Sequence, residues 1–156
     1  QVIAVDYLQL IGKPSATYYS NRDRELATIS RCIKNLAKGL NVLFLCVSQL
    51  SRSVETRGGD KKPQLSDLRD SGSLEQDADK VILLYRPEYY NLLEDCNGSS
   101  LKGKMEVIMA KNKHGRTGSI QLKRTQEFTS FLEVELIAPD SKLDIKADRM
   151  KDFDIY

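Results

Sequence analysis

Histidine occurs once in the 156 residues and cysteine only three times. No apolar run approaches the roughly 18–20 residues of a membrane span. With His114 alone, imidazole-based metal chemistry is remote, and a bound cation would have to use carboxylates, water or a ligand phosphate. Cys32, Cys46 and Cys96 form an odd set without CxxC spacing. That excludes a disulfide framework and a zinc site, and points to a reducing cytoplasm. The opening QVIAVDYLQL lacks the basic n-region and small-residue cleavage site of a signal peptide. Charge of one sign is also scarce: 24 Lys+Arg oppose 22 Asp+Glu, for a net charge of +2. With 40% hydrophobic and 29% charged residues, neither a disordered chain nor a charge-driven polyelectrolyte is expected. A chain of this length suits one domain that buries roughly 70% of its unfolded surface.

What is present is alternating strand and helix. Val2–Val5 is a continuous apolar run ending in Asp6, the form of a buried parallel strand. Leu26, Ile29, Ile33, Leu36 and Leu40 recur at three- and four-residue steps, an amphipathic helix with Asp23 and Glu25 in its first turn and Gly39 as the expected stop. Val42–Val47 follows as a second strand, completing a strand–helix–strand unit. Residues 51–66 read as a long polar loop with four basic and two acidic side chains. Asp67–Ala78 reads as a short helical segment broken at Ser71-Gly72. Val81–Tyr85, Met105–Ala110, Gly118–Arg124 and Phe128–Leu136 read as strands, with a hairpin-like turn at Lys113–Thr117. The charge-mixed residues 138–156 are expected to be a peripheral or disordered tail.

Four places carry possible chemistry, each with a plainer reading beside it. Asp6 ends a strand where open α/β sheets bind ligands, and an acid there suits the water shell of Mg²⁺; a capped βα loop is the plain alternative. Gln49, after the second strand, is a neutral amide suited to sensing a γ-phosphate, or simply a strand-terminal cap. The basic 51–66 loop and the string Leu68-Arg-Asp-Ser-Gly-Ser73 offer backbone N–H groups and Arg69 to a phosphate chain. No aromatic in them can read a base, so nucleic acid would be held without sequence preference. A solvated surface loop is the alternative. The turn Lys111–Arg116 clusters basic side chains as a phosphate clamp would, or as an ordinary exposed turn does. The string GSSLKGKM at 98–105 only imitates a P-loop: Met105 has no hydroxyl for Mg²⁺, and the stretch leads into a strand rather than a helix.

Together, VIAVDYLQL at 2–10, VSQLSR at 47–52, SDLRDSGSLEQDAD at 66–79 and AKNKHG at 110–115 occur in an order that resembles the C-terminal half of the motor domain of DnaB-type replicative helicases. The similarity covers about residues 2–135. It implies an α/β, RecA-like P-loop NTPase fold in truncated form, a mostly parallel sheet with an antiparallel C-terminal strand meander, over residues 1–137. It also implies a six-membered ring that uses ATP and Mg²⁺ to move 5′ to 3′ on single-stranded DNA, with primase and a helicase loader as partners and no membrane. By resemblance Asp6 is the Walker B aspartate, meeting Mg²⁺ through water, and Gln49 the sensor; both contact nucleotide. Arg69, Asp70 and Gly72 match the DNA-gripping loop. Lys111 and Lys113 match two basic fingers that reach the ATP of the adjacent subunit.

Two departures stand out. Lys113 occupies a position usually held by arginine. The P-loop and the catalytic glutamate of the family lie upstream of the point matched by Gln1, and Tyr7, not Glu, follows Asp6. The chain is therefore expected to be inactive alone: a truncated piece, a proteolytic remnant, or the product of a split or degenerate gene. Two rival readings are another RecA-like ATPase of the KaiC or RadA type, and a non-catalytic DNA-binding or assembly fragment. DYLQL and SGSLEQDAD weigh against the first.

Overall fold

In a computed structural model that describes residues 1–12, 22–125 and 130–133, Val2–Val5 forms strand β1 and Leu43–Cys46 forms β2. They pair in parallel, Val2 opposite Leu43 and Val5 opposite Cys46. Helix α1, Arg22–Leu40, runs between them in sequence, so the expected strand–helix–strand unit is present. Asp23 and Glu25 lie in its first turn, where carboxylates complement the unpaired N–H groups. The helix passes through Gly39, the expected stop. It closes instead at Asn41, whose φ of 51° is the left-handed conformation that ends helices and that asparagine tolerates.

Residues 51–66 are more ordered than the polar composition suggests. A short helix α2, Ser53–Thr56, sits there, seated by Val54 at 2% exposure. One apolar residue in a polar string produces no periodicity, which is why the pattern reads as loop. A 3₁₀ segment, Leu65–Ser71, then runs into α3, Gly72–Asp77, so the expected break at Ser71-Gly72 is where one helix type gives way to the other. Leu68 and Leu74 are both buried and anchor the two sides of that junction.

Strands β3 (Lys80–Tyr85), β4 (Lys104–Asn112), β5 (Gly118–Arg124) and β6 (Phe131–Glu133) form an antiparallel meander in chain order. The remainder of the strand expected over 128–136, and the tail at 138–156, lie outside the described residues. The parallel component expected to dominate is, among the described residues, the single pair β1–β2, and the antiparallel ladder is the larger sheet. The turn at 113–117 joins β4 to β5 as expected. The P-loop imitation at 98–105 is a turn with Gly98 at φ 76°, feeding β4. In the 86–103 connection a 3₁₀ turn, Pro87–Tyr90, is pinned by Glu88, which accepts from Arg124 at 3.0 Å and from the Gly103 N–H at 3.1 Å.

The core gathers Leu8, Leu26, Val54, Leu68, Leu74, Leu83 and Tyr85. Within it α1 packs on α3, on the 65–71 segment and on the Leu8–Leu10 turn, while Leu83 and Tyr85 are the buried face of β3. The opposite faces are open: Val2, Leu43 and Leu45 on the parallel pair, and Ile82, Leu84 and Ile120 on the meander, are all exposed.

Candidate functional site

Parallel pairing puts the carboxyl ends of β1 and β2 at one edge, so Asp6 and the Ser48-Gln49 pair stand side by side there. The ladder continues past Asp6: Val47 N–H donates to Val5 O at 2.9 Å and Leu8 N–H to Val47 O at 3.0 Å. Asp6 and Gln49 are both solvent-exposed. The side chain of Gln9 ties the two strand ends together, its Nε2 donating to Ser48 Oγ at 2.9 Å and its Oε1 accepting from Gln49 N–H at 3.4 Å. The sequence alone assigns Gln9, within DYLQL, no role. Its only signal was a polar residue flanked by two leucines.

From this edge a hydrogen-bonded path leads to the 69–72 segment. Ser51 N–H, two residues beyond Gln49, donates to Asp67 O at 2.8 Å, and Asp67 lies two residues before Arg69. Asp67 is 2% exposed. Its carboxylate accepts from Gln64 N–H at 2.7 Å and from the Arg57 guanidinium. A buried carboxylate must be paired, so Asp67 fastens the polar stretch after β2 onto the base of the segment. Arg69, Asp70 and Gly72 thus lie between the buried anchors Leu68 and Leu74. Sequence reasoning missed Asp67, because a carboxylate in a polar string shows nothing of its burial.

An aromatic ring absent from the local sequence arrives from the 86–103 connection. Tyr90 lines an open cleft with Gln49, Arg52 and Glu55. The ammonium of Lys61 stands 5.8 Å from its ring centroid, and burial raises its phenol pKa. Tyr85 stacks on Tyr90 at 6.1 Å. Burial, reinforced by Asp60, pushes the Tyr85 phenol up to about 12. Its hydroxyl donates to Asp60 O, tying β3 to the polar stretch.

The basic turn divides by direction. Lys113 is 59% exposed, with its Nζ 4.0 Å from Asp79 Oδ1 and its backbone N–H donating to Asp79 O at 2.9 Å. The Asp79 carboxylate also takes the ammonium of Lys34 from α1. That hydrogen bond, then the charges of Lys34, Lys113 and His114, hold the Asp79 pKa below the usual carboxylate value. Lys111, expected with Lys113 to be a finger toward a neighbouring subunit, instead turns inward, its Nζ donating to Glu75 O at 2.6 Å and Gln76 O at 3.2 Å. A Cβ at Gly115 would stand 2.5 Å from Asn112 Nδ2, so glycine leaves room for that amide, which donates to Arg116 O at 3.2 Å. His114 and Arg116 are exposed. Among the described residues no hydrogen bond joins this turn to Asp6 or Gln49, and the two lie on different sheets.

A Mg²⁺ ion fits the first edge only in part. An exposed acid at a strand end can hold a metal-bound water. Among the described residues, however, no cluster of three or more His, Cys, Asp or Glu side chains forms a metal cage. No P-loop sequence occurs in residues 1–156 to cradle the phosphates.

Comparison with known proteins converges on one family. Residues 1–133 match the profile of the DnaB-like helicase C terminal domain. The replicative DNA helicase DnaB of Geobacillus stearothermophilus is 46% identical over 134 residues, 86% of this chain and 28% of that protein. The Haemophilus influenzae DnaB is 46% identical over 130 residues, 83% of this chain and 26% of that protein. Among solved structures, one of a DnaB-like replicative helicase and its interactions with primase superposes with a TM-score of 0.72 at 42% identity, over 86% of this chain and 31% of that one. A solved ATPase domain gives 0.73 at 42% identity, over 86% of this chain and 44% of that one. The fold is thus the RecA-like α/β fold of these ATPase domains, and the chain spans under a third of the length of the curated relatives it matches. With strand-end Asp6 and Gln49, the anchored 69–72 segment and the basic turn all inside the matched region, the chain belongs to the DnaB-like helicase C-terminal domain family.

Proposed function

We propose that this chain is the C-terminal part of the ATPase motor of a replicative DNA helicase. One observation carries the reading: the Ser51–Asp67 hydrogen bond runs from the Asp6–Gln49 edge directly to the base of the 69–72 segment. A motor needs a physical link between the place where phosphate is lost and the place where DNA is held. In this reading Asp6 would hold a water of the Mg²⁺ that accompanies ATP, an ion that would supply charge neutralisation at the phosphates. Gln49 senses the γ-phosphate. Arg69, Asp70 and Gly72 grip the backbone of single-stranded DNA without reading bases. Lys113, exposed and held by its own chain through a 4.0 Å ion pair to Asp79, is the finger that serves a neighbouring copy in a hexamer. Primase and a helicase loader are the partners expected of such a ring. Its setting would be the cytoplasm, where Cys32, Cys46 and Cys96 stay as the free thiols seen here. The alternative reading is a DNA-binding or assembly piece without nucleotide chemistry.

The test is a graft. The matched segment of the Geobacillus stearothermophilus helicase is replaced by residues 1–133 of this chain, and forked-duplex unwinding is followed with Mg-ATP. The expected result is 5′ to 3′ unwinding that Asp6→Asn abolishes. A graft that assembles and binds nucleotide and DNA but never unwinds would support the non-catalytic reading instead.

A further inference from the structure

Lys111 is a charged side chain on a strand, yet it points to the protein's interior, and the pairing explains why. Val81 faces Lys111 and Ile82 faces Met109, so Ala110 is an extra residue on β4, a β-bulge. Cross-strand partners share a face. Met109 therefore lies with exposed Ile82, while Lys111, two residues on, lies with Val81 and buried Leu83. Without the bulge, strict alternation would put Lys111 on the open face with Met109. The bulge instead turns its ammonium onto the last carbonyls of α3, at Glu75 and Gln76. Those groups have no partner within a helix, and a cation matches the negative end of the backbone dipoles.

Helix α3 begins at Gly72, the last residue of the segment assigned to DNA, and ends at Asp77. Its six residues form a rod of about 9 Å. The far end of the rod is tied to α1, because Ser30 Oγ donates to Asp77 Oδ2 at 2.8 Å and Lys34 pairs with Asp79. The same end meets the basic turn twice, through Lys111 Nζ on the α3 carbonyls and through Lys113 N–H on Asp79 O.

We propose that Lys111 is a positioning residue that couples the 69–72 segment to the basic turn, by clamping the turn to the far end of α3. A shift of the segment on meeting a phosphate backbone is carried along α3 and through this clamp to Lys113. The inference rests on the assignment of 69–72 as the DNA-gripping segment.

The test uses the full 156-residue chain, ¹⁵N-labelled and titrated with a single-stranded oligothymidylate, with amide chemical shifts as the readout. In the native chain, residues 69–72 and 112–116 should shift with the same midpoint. Lys111→Met should keep the shifts at 69–72 and lose those at the turn. Lys111→Arg should restore them, since a guanidinium can also donate to two carbonyls. If the Met variant does not fold, Lys111→Gln, which keeps an NH₂ donor but no charge, should give a reduced response at the turn relative to Arg. A merely structural lysine would change stability and leave the DNA-dependent response at the turn intact, and that result overturns the proposal. A native turn that stays silent while 69–72 shifts also overturns it. If 69–72 itself does not respond, the DNA assignment falls and the coupling falls with it.

Discussion

Replacing Arg57 by methionine should destabilise this chain more than replacing Asp67, the carboxylate it serves. The reason is an asymmetry of burial. The Asp67 side chain is 2% exposed and that of Arg57 32%. Removing Arg57 strands a charge in the interior, a change that costs about 3–5 kcal/mol when one partner of a buried pair is lost. Removing Asp67 frees a guanidinium that can turn to water and still donate to Lys62 O, now 3.2 Å from Nη1. What remains lost is the charged hydrogen bond and the acceptor for Gln64 N–H, about 2–3 kcal/mol together. For a chain of this length each kcal/mol is worth roughly 2–4 °C in Tm. Arg57→Met should therefore lower Tm by about 6–20 °C and Asp67→Ala by about 4–12 °C. Asp67→Asn should not rescue the pair: both carboxylate oxygens accept, so an amide must present its NH₂ to a donor. The double variant Arg57→Met/Asp67→Ala should lose less than the sum of the single losses, because no charge is left stranded. Urea unfolding followed by circular dichroism, with thermal melts alongside, measures all four. Asp67→Ala costing more than Arg57→Met, or a double variant that loses the full sum, would refute the reasoning.

Alone with Mg-ATP and single-stranded DNA, the chain should release no phosphate above background; DNA-stimulated turnover abolished by Asp6→Asn would contradict this. Arg69→Ala should weaken oligothymidylate binding with no change in sequence preference, and the salt slope should fall by about 0.7, one single-strand phosphate contact; an unchanged slope counts against a backbone contact. In the Geobacillus graft, Lys113→Ala should lower kcat far more than it raises KM, by a factor of up to about 10³–10⁵ if it acts as a finger does. Mixed with Asp6→Asn subunits, that variant should exceed the weighted mean of the two rates, and mixtures that never do so exclude action in trans. Because the Asp79 pKa is lowered in the folded state, its contribution is complete above the ordinary carboxylate value of about 3.9 and fades as pH falls through the lowered value. The Tm deficit of Asp79→Asn should accordingly close in acid, and a deficit that grows toward low pH would refute the Lys34 pairing.

Local sequence determined the elements whose signal is periodic or continuous. Val2–Val5 is apolar throughout and emerges as β1 residue for residue, and α1 follows its spacing of leucine and isoleucine. Placing Asp6 and Gln49 together needed only the strand–helix–strand order, since parallel strands present their carboxyl ends at one edge. The tertiary structure decided everything that depends on a partner far along the chain. Asp67 looks like any loop carboxylate until Arg57 and Gln64 close over it. Tyr90 reaches the cleft beside Gln49 from a connection with no local tie to that strand. Lys111 reads as a second finger beside Lys113, and only the register slip at Ala110 turns it onto α3. Periodicity reports which face of an element is apolar. It carries no information on bulges or on long-range polar pairing, because both are set by the strand or loop on the other side of the contact.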